Sequence, residues 1–287
     1  MGSHAMRRID RSLIIIGGHE DKSDEKLILR EVAERVGGGR LVIATVASQM
    51  QKTLYEKYEQ IFRGLGVNHV YKLEVDSRED AMSEKAIRIL EDTSTIFFTG
   101  GDQVKITSQL GCSPVCERMQ EIYESGGTIA GTSAGASVMS ETMMVGGNGE
   151  ESHRIGSALR LAPGLGFIRG IIVDQHFAER GRIGRLLGAV SQNPRILGVG
   201  IDENTAVIVE RDRKFTVIGE GGVTIVDAGA STYSNITDEE TSRALSVYDV
   251  KLHQLSQGDY FDCQTRRPTA QPAEIIEEEL LGAASES

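Results

Sequence analysis

Two hydrophobic rhythms alternate along this chain, and together they predict the order of its elements. Residues 13–16 are an unbroken apolar run ending in Gly17-Gly18, the pattern of a strand covered on both faces. Asp24 is expected to open a helix in which Ile28, Val32 and Val36 recur at four-residue spacing, stopped by Gly37-Gly38-Gly39. The unit then repeats. Strands are expected at 41–46, 70–75 and 95–99, a helix at about 53–62, and a further helix with Met82, Ala86 and Ile89 on one face. Ser113-Pro114 fits the capped start of a helix reaching Glu124, since proline at the first helical position gives up no needed hydrogen bond. A short strand at 128–130 leads into a helix from Ala134 to about Met139, and strands follow at 171–173 and 197–201.

Strands alternating with helices imply right-handed crossovers, hence an α/β fold with a mainly parallel sheet and helices on both faces. The short, closely spaced segments 206–210, 215–219 and 223–228 read instead as antiparallel strands added near the C-terminal end, and 245–255 as an edge strand. Residues 141–166 form the longest irregular, glycine-rich passage, of a kind that is usually functional or mobile. One domain is expected over 7–262. Residues 1–6 look like the remnant of an expression tag, and 263–287, with an acidic run from Glu274 to Glu279, like a weakly ordered tail or a docking helix.

Composition narrows the class. With 39% hydrophobic and 25% charged residues, the 287-residue chain can bury a full core. A formal net charge of -11 argues against a nucleic-acid partner, which requires a basic surface. No apolar run approaches a membrane span of roughly 20 residues, and no signal-peptide core follows the start. Cys112, Cys116 and Cys263 lack partners at metal-site spacing, so reduced thiols, a cytoplasmic location and no metal or cofactor are expected.

The chemistry gathers at predicted strand ends. Gly131-Thr132-Ser133-Ala134-Gly135 has the G-x-S-x-G spacing that turns a strand sharply into a helix and presents a serine hydroxyl, making Ser133 the candidate nucleophile. His176, at the end of the strand before Phe177, is the candidate general base, with His153 in the glycine-rich passage ranked second. The acid that orients the imidazole is Asp202 or Glu203, which spacing does not separate. Gly100-Gly101 at another strand end is expected to give one oxyanion-hole N–H, and Ala134 the other. Arg180, Arg182 and Arg185 suggest carboxylate recognition beside the site, and the charged loop His19-Glu20-Asp21-Lys22 is placed to line it.

As a set, Gly17-Gly18-His19-Glu20-Asp21-Lys22, Gly100-Gly101-Asp102-Gln103, Gly131 to Ala136, Asp174-Gln175-His176, Arg180 to Arg185 and Gly200 to Thr205 resemble the cyanophycinase family. That family stands with the peptidase E-like serine peptidases on a flavodoxin-like three-layer sandwich. The resemblance implies Ser133 as nucleophile, His176 as base and Glu203 as the orienting acid, with Gln103, Asp174, Gln175, Arg180, Arg182 and Arg185 binding substrate. It also implies cyanophycin as substrate, β-Asp-Arg dipeptides released from the polymer end, and a homodimer. An aspartyl dipeptidase of the peptidase E type and a non-catalytic binding module on the same scaffold are the competing readings. His19 stands where the family's N-terminal motif varies.

Overall fold

Apolar runs without polar alternation form strands sandwiched between layers, and helices with one apolar stripe cover them. The structure, a computed structural model, describes residues 11–146, 159–210, 214–238 and 243–269. Its first half comprises β1 (Ser12–Ile16), α1 (Leu27–Val36), β2 (Arg40–Ala44), α2 (Gln51–Gly64), β3 (Val70–Lys72), α3 (Arg78–Ala81), α4 (Glu84–Ile89), β4 (Thr93–Phe98), α5 (Gln103–Leu110), α6 (Pro114–Glu124), β5 (Thr128–Thr132) and α7 (Ala134–Ser137). There follow β6 (Thr142–Val145), β7 (Arg160–Pro163), β8 (Ile171–Gln175), α8 (Ile183–Gln192), β9 (Leu197–Ile201), β10 (Thr205–Val209), β11 (Lys214–Gly219), β12 (Val223–Asp227), β13 (Tyr233–Ser234), β14 (Val247–Tyr248), β15 (Lys251–Leu255), β16 (Tyr260–Asp262) and β17 (Arg267–Thr269).

The fold is α/β, as the alternation implies. A nine-stranded sheet has the order β17-β16-β11-β10-β1-β5-β4-β2-β3, parallel from β1 through β3 and antiparallel on the other side of β1. On one face α1 and α2 pack Leu29, Val32 and Phe62 against Ile14, Ile43, Phe97 and Ala130. On the other, Leu13, Ile15, Val42 and Phe98 meet the helices that carry Ile106, Met119 and Ala136.

The C-terminal half departs from the expectation of one sheet. β8 and β9 leave the main sheet and form a second, four-stranded sheet of order β15-β12-β9-β8. Its inner face, with Val173, Val199 and Ile225, closes on Val207 and Val217 of the main sheet, while α8 covers its outer face through Leu186 and Val190. Hydrophobic runs in β8 and β9 look like those of β1 and β2 because both kinds are covered on both faces. Only the partner differs.

Other expectations shift locally. Asp24 does not open α1; the Asp21 carboxylate instead accepts the N–H groups of Ser23, Asp24 and Lys26, and the helix starts at Leu27. Those bonds hold the Asp21 carboxyl well below the usual carboxylate range. The helix carrying Met82, Ala86 and Ile89 is two pieces, because Ser77 caps α3 and Ser83 caps α4, leaving Met82 exposed. The 245–255 strand likewise splits into β14, paired with β13, and β15 at the edge of the second sheet. Part of the 141–166 passage is the hairpin β6–β7. β17 pairs with β16, so the main sheet runs beyond the expected domain end at 262. Among the described residues no helix is long and apolar enough to cross a membrane.

Phe62 is fully buried, with its ring 5.3 Å from Phe97 and 6.3 Å from Tyr58. Phe62→Ala is expected to lower unfolding free energy by about 3–5 kcal/mol in a denaturant titration; a change below about 1 kcal/mol would contradict this account of the α2 layer.

Candidate active site

β1, β5, β8 and β9 all end at one place. Ser133 follows β5 with φ 55° and ψ -113°, a conformation that a non-glycine residue adopts only when its surroundings impose it. The glycines around it are there for steric reasons: a Cβ on Gly131 would lie 2.6 Å from the carbonyl oxygen of Gly135, and one on Gly135 2.5 Å from that of Phe98. The Ser133 N–H donates to Ile16 O at 3.1 Å, fastening the turn to the end of β1.

His176 follows β8, and Glu203 follows β9. Ser133 Oγ lies 3.0 Å from His176 Nε2, and His176 Nδ1 lies 2.6 Å from Glu203 Oε1. The three side chains expected to act together are thus in hydrogen-bonded series, with two of them delivered by the second sheet. Asp202, the open alternative, points elsewhere: its carboxylate accepts the N–H groups of Ala178 and Gly222, each at 3.0 Å. His153 lies outside the described residues.

Burial pushes the His176 imidazole below its ordinary value, an effect that its hydrogen bond to Glu203 only partly opposes. For Glu203, burial works the other way, but the hydrogen bonds from His176 and His19 outweigh it and hold the carboxyl below its usual range. At neutral pH the array is therefore a neutral imidazole on a carboxylate, the state able to accept a proton at Nε2.

Beside Ser133 opens a cavity of about 360 Å³ lined by Gly101, Gln103, Met144, Gly146, Gln175, Arg180, Arg182 and Arg185, among others. Among the described residues its lining holds three arginines against one carboxylate, Asp102. Gly101 has φ 143°, and the next N–H, of Asp102, donates to Ala47 O at 3.0 Å. Ala134 is the first residue of α7, where a helix's N–H groups have no partner within the helix. Gln103, at the start of α5, donates to Met144 O.

Asp174 sits differently from the expectation. It was expected among the substrate-binding residues, but it is fully buried behind the cavity wall. Its carboxylate accepts from Arg182 Nη1 at 3.0 Å and from Arg185 Nε at 2.6 Å. Arg182 and Arg185 are themselves buried, and burial pulls the Arg182 guanidinium down to about 10, with Asp174 opposing. Asp174 is thus the counter-ion that lets two arginines face the cavity in fixed positions. Arg180 at the rim is exposed.

Two contributors were flagged in sequence only as part of a charged loop. His19 Nδ1 lies 2.7 Å from Glu203 Oε2, so the carboxylate carries two imidazoles. Glu20, buried, accepts from Tyr58 Oη and from Thr132 Oγ1 (2.6 Å) and pairs with Lys22 Nζ at 2.9 Å. It fixes the loop to the residue that precedes Ser133. A charged residue two positions beyond a strand-ending glycine pair was the available signal; its burial was not.

The chain matches the model of Peptidase family S51 over residues 13–217. It is 40% identical over 259 residues to a cyanophycinase of Trichormus variabilis, covering 89% of this chain and 86% of that one. It is also 38% identical over 263 residues to a cyanophycinase of Geminocystis herdmanii, covering 90% and 96%. The crystal structure of a peptidase from an acI-B1 actinobacterium shares the fold at a TM-score of 0.64 and 24% identity, over 89% of this chain and 98% of that one.

Removing one partner from a buried ion cluster strands the remaining charges, so Asp174→Ala is expected to cost about 3–5 kcal/mol of stability. Arg180→Ala, at an exposed position, should change it by no more than about 0.5 kcal/mol. Thermal melting of the two variants checks the contrast, and equal melting points would refute the counter-ion role. The match along the sequence, to the family over most of the chain and to relatives at 40% identity, places this chain in peptidase family S51, a family of serine peptidases.

Proposed function

We propose that the protein is a serine exopeptidase that hydrolyses cyanophycin, multi-L-arginyl-poly-L-aspartate, releasing β-Asp-Arg dipeptides through an acyl-enzyme on Ser133. The observation that carries this reading is the 3.0 Å contact of Ser133 Oγ with His176 Nε2 at the edge of an arginine-walled cavity. Relatives named cyanophycinase over nearly the whole chain supply the substrate.

His176 takes the hydroxyl proton as Ser133 Oγ attacks a backbone carbonyl of the polymer. Glu203 holds the Nδ1–H tautomer and stabilises the imidazolium. The N–H groups of Ala134 and Gly101 meet the charge developing on the carbonyl oxygen. The imidazolium then gives its proton to the leaving amine, and a water activated by the same imidazole hydrolyses the ester. Arg180 at the rim receives the carboxylate at the polymer end, where the planar guanidinium binds two oxygens at once, and Arg182 and Arg185, held by Asp174, add positive charge to the wall behind it. Gln103, Gln175 and Asp102 offer acceptors to the substrate's guanidinium group. We place the enzyme in the cytoplasm as a homodimer, on its cysteine usage and the family resemblance.

Purified protein incubated with cyanophycin should yield β-Asp-Arg, identified by mass, and show little turnover of Asp-X dipeptides. Ser133→Ala should lower release by about 10⁴-fold or more. Activity at wild-type level in that variant, or preference for Asp-X dipeptides, would end the proposal. Because His176 must be neutral to act and burial holds it below the ordinary imidazole value, the acid limb of kcat/KM should be centred on the acid side of pH 6.5. A decline centred above pH 6.5 would contradict the burial of the base.

A further inference from the structure

His19, His176 and Glu203 make a cluster that hydrolysis does not use in full. Both imidazoles aim Nδ1 at one carboxylate, and the candidate ligand atoms of the three side chains lie within 4.8 Å of one another. The rings stand edge to face with centroids 5.2 Å apart. Two imidazoles and one carboxylate, completed by water, are the donor set of an open tetrahedral zinc site. Donor atoms about 2.0–2.1 Å from a tetrahedral zinc stand about 3.3–3.4 Å from one another. The cluster must therefore contract by as much as about 1.4 Å to close on an ion. The His19 side chain, 74% exposed, can supply it by rotating without disturbing the core.

We propose that His19, His176 and Glu203 form an inhibitory site for zinc or a similar borderline divalent cation. Ligation through His176 Nδ1 requires its single ring proton to move, by way of solvent, to Nε2. An imidazole protonated there has no lone pair for the Ser133 hydroxyl, so the base is lost while the arginine-lined cavity stays open. Removing the ion lets the proton return to Nδ1. The inhibition rests on the role given to His176 under the proposed function; the binding does not. His19 decides the matter, since without it His176 and Glu203 offer two ligands, too few to compete with their own hydrogen bond.

The binding is tested in protein that cannot turn over, by titrating zinc chloride calorimetrically into Ser133→Ala and into Ser133→Ala/His19→Ala, with His19→Gln in place of alanine should the latter fail to fold. The double variant is expected to bind at least about 10–100-fold more weakly at the tightest site, since removing even a residue that only supports a metal ligand costs that much. Equal affinity in the two proteins overturns the site, whatever the turnover assay gives. In parallel, zinc chloride should inhibit the wild-type enzyme reversibly, with activity restored by EDTA, and His19→Ala should need correspondingly more zinc. His19-dependent binding that leaves wild-type turnover unchanged overturns the inhibition.

Discussion

Two adjacent glycines at the end of β1 join the molecule's two sheets where the chemistry sits. Gly17 N donates to Thr205 O at 2.9 Å, Gly17 O accepts from His176 N at 2.8 Å, and Gly18 O accepts from Asn204 N at 2.9 Å. A Cβ on Gly17 would overlap the carbonyl oxygen of Asp202, and one on Gly18, whose φ is 112°, would overlap the His176 ring. Backbone packs directly on backbone and ring here, so the ends of β8 and β9 have one position relative to β1 and β5. His19, Ser133, His176 and Asn204 all have positive φ around this seam. Strain of that kind, of order 1–3 kcal/mol per residue, persists only where the surroundings over-determine it.

A second constraint shapes the cavity. Guanidinium groups buried without a counter-ion would be costly, so the two arginines depend on the carboxylate of Asp174 at the end of β8. The same strand thus delivers His176 on one side and, through Asp174, the orientation of Arg182 and Arg185 on the other. Base and anion-binding groups are coupled mechanically. A shift of β8 against β1 would disturb both together.

What the sequence made legible follows from range. The serine turn is local: the glycines, the small neighbours and the hydroxyl lie within five residues and leave one steric solution. Ser113 as a helix cap and the stop at Gly37 are local too. Pattern alone did not separate Asp202 from Glu203, because neighbouring residues after a strand face different ways and which one faces His176 depends on how β9 sits. Nor did it place β8 and β9 in a second sheet, since an apolar run records that both faces are covered without recording by what. Asp174 read as a binding residue for a related reason. A polar residue at a strand end can face substrate or hold the groups that do, and only burial tells them apart. His19 and Glu20 belong to the same class, their partners Glu203 and Thr132 lying far along the chain.

The site depends on one alignment, that of the imidazole from one sheet with the hydroxyl from the other, set by the glycine seam. It is tested most directly by the rate at which a fluorophosphonate labels Ser133 in wild type and in Gly18→Ala, with the labelled peptide identified by mass. The added methyl displaces the His176 ring, so labelling should slow by about 100-fold or more, the usual contribution of a positioned base, while the variant still melts cooperatively. Labelling of Gly18→Ala at the wild-type rate would show that the seam does not set the alignment, and the account would fail.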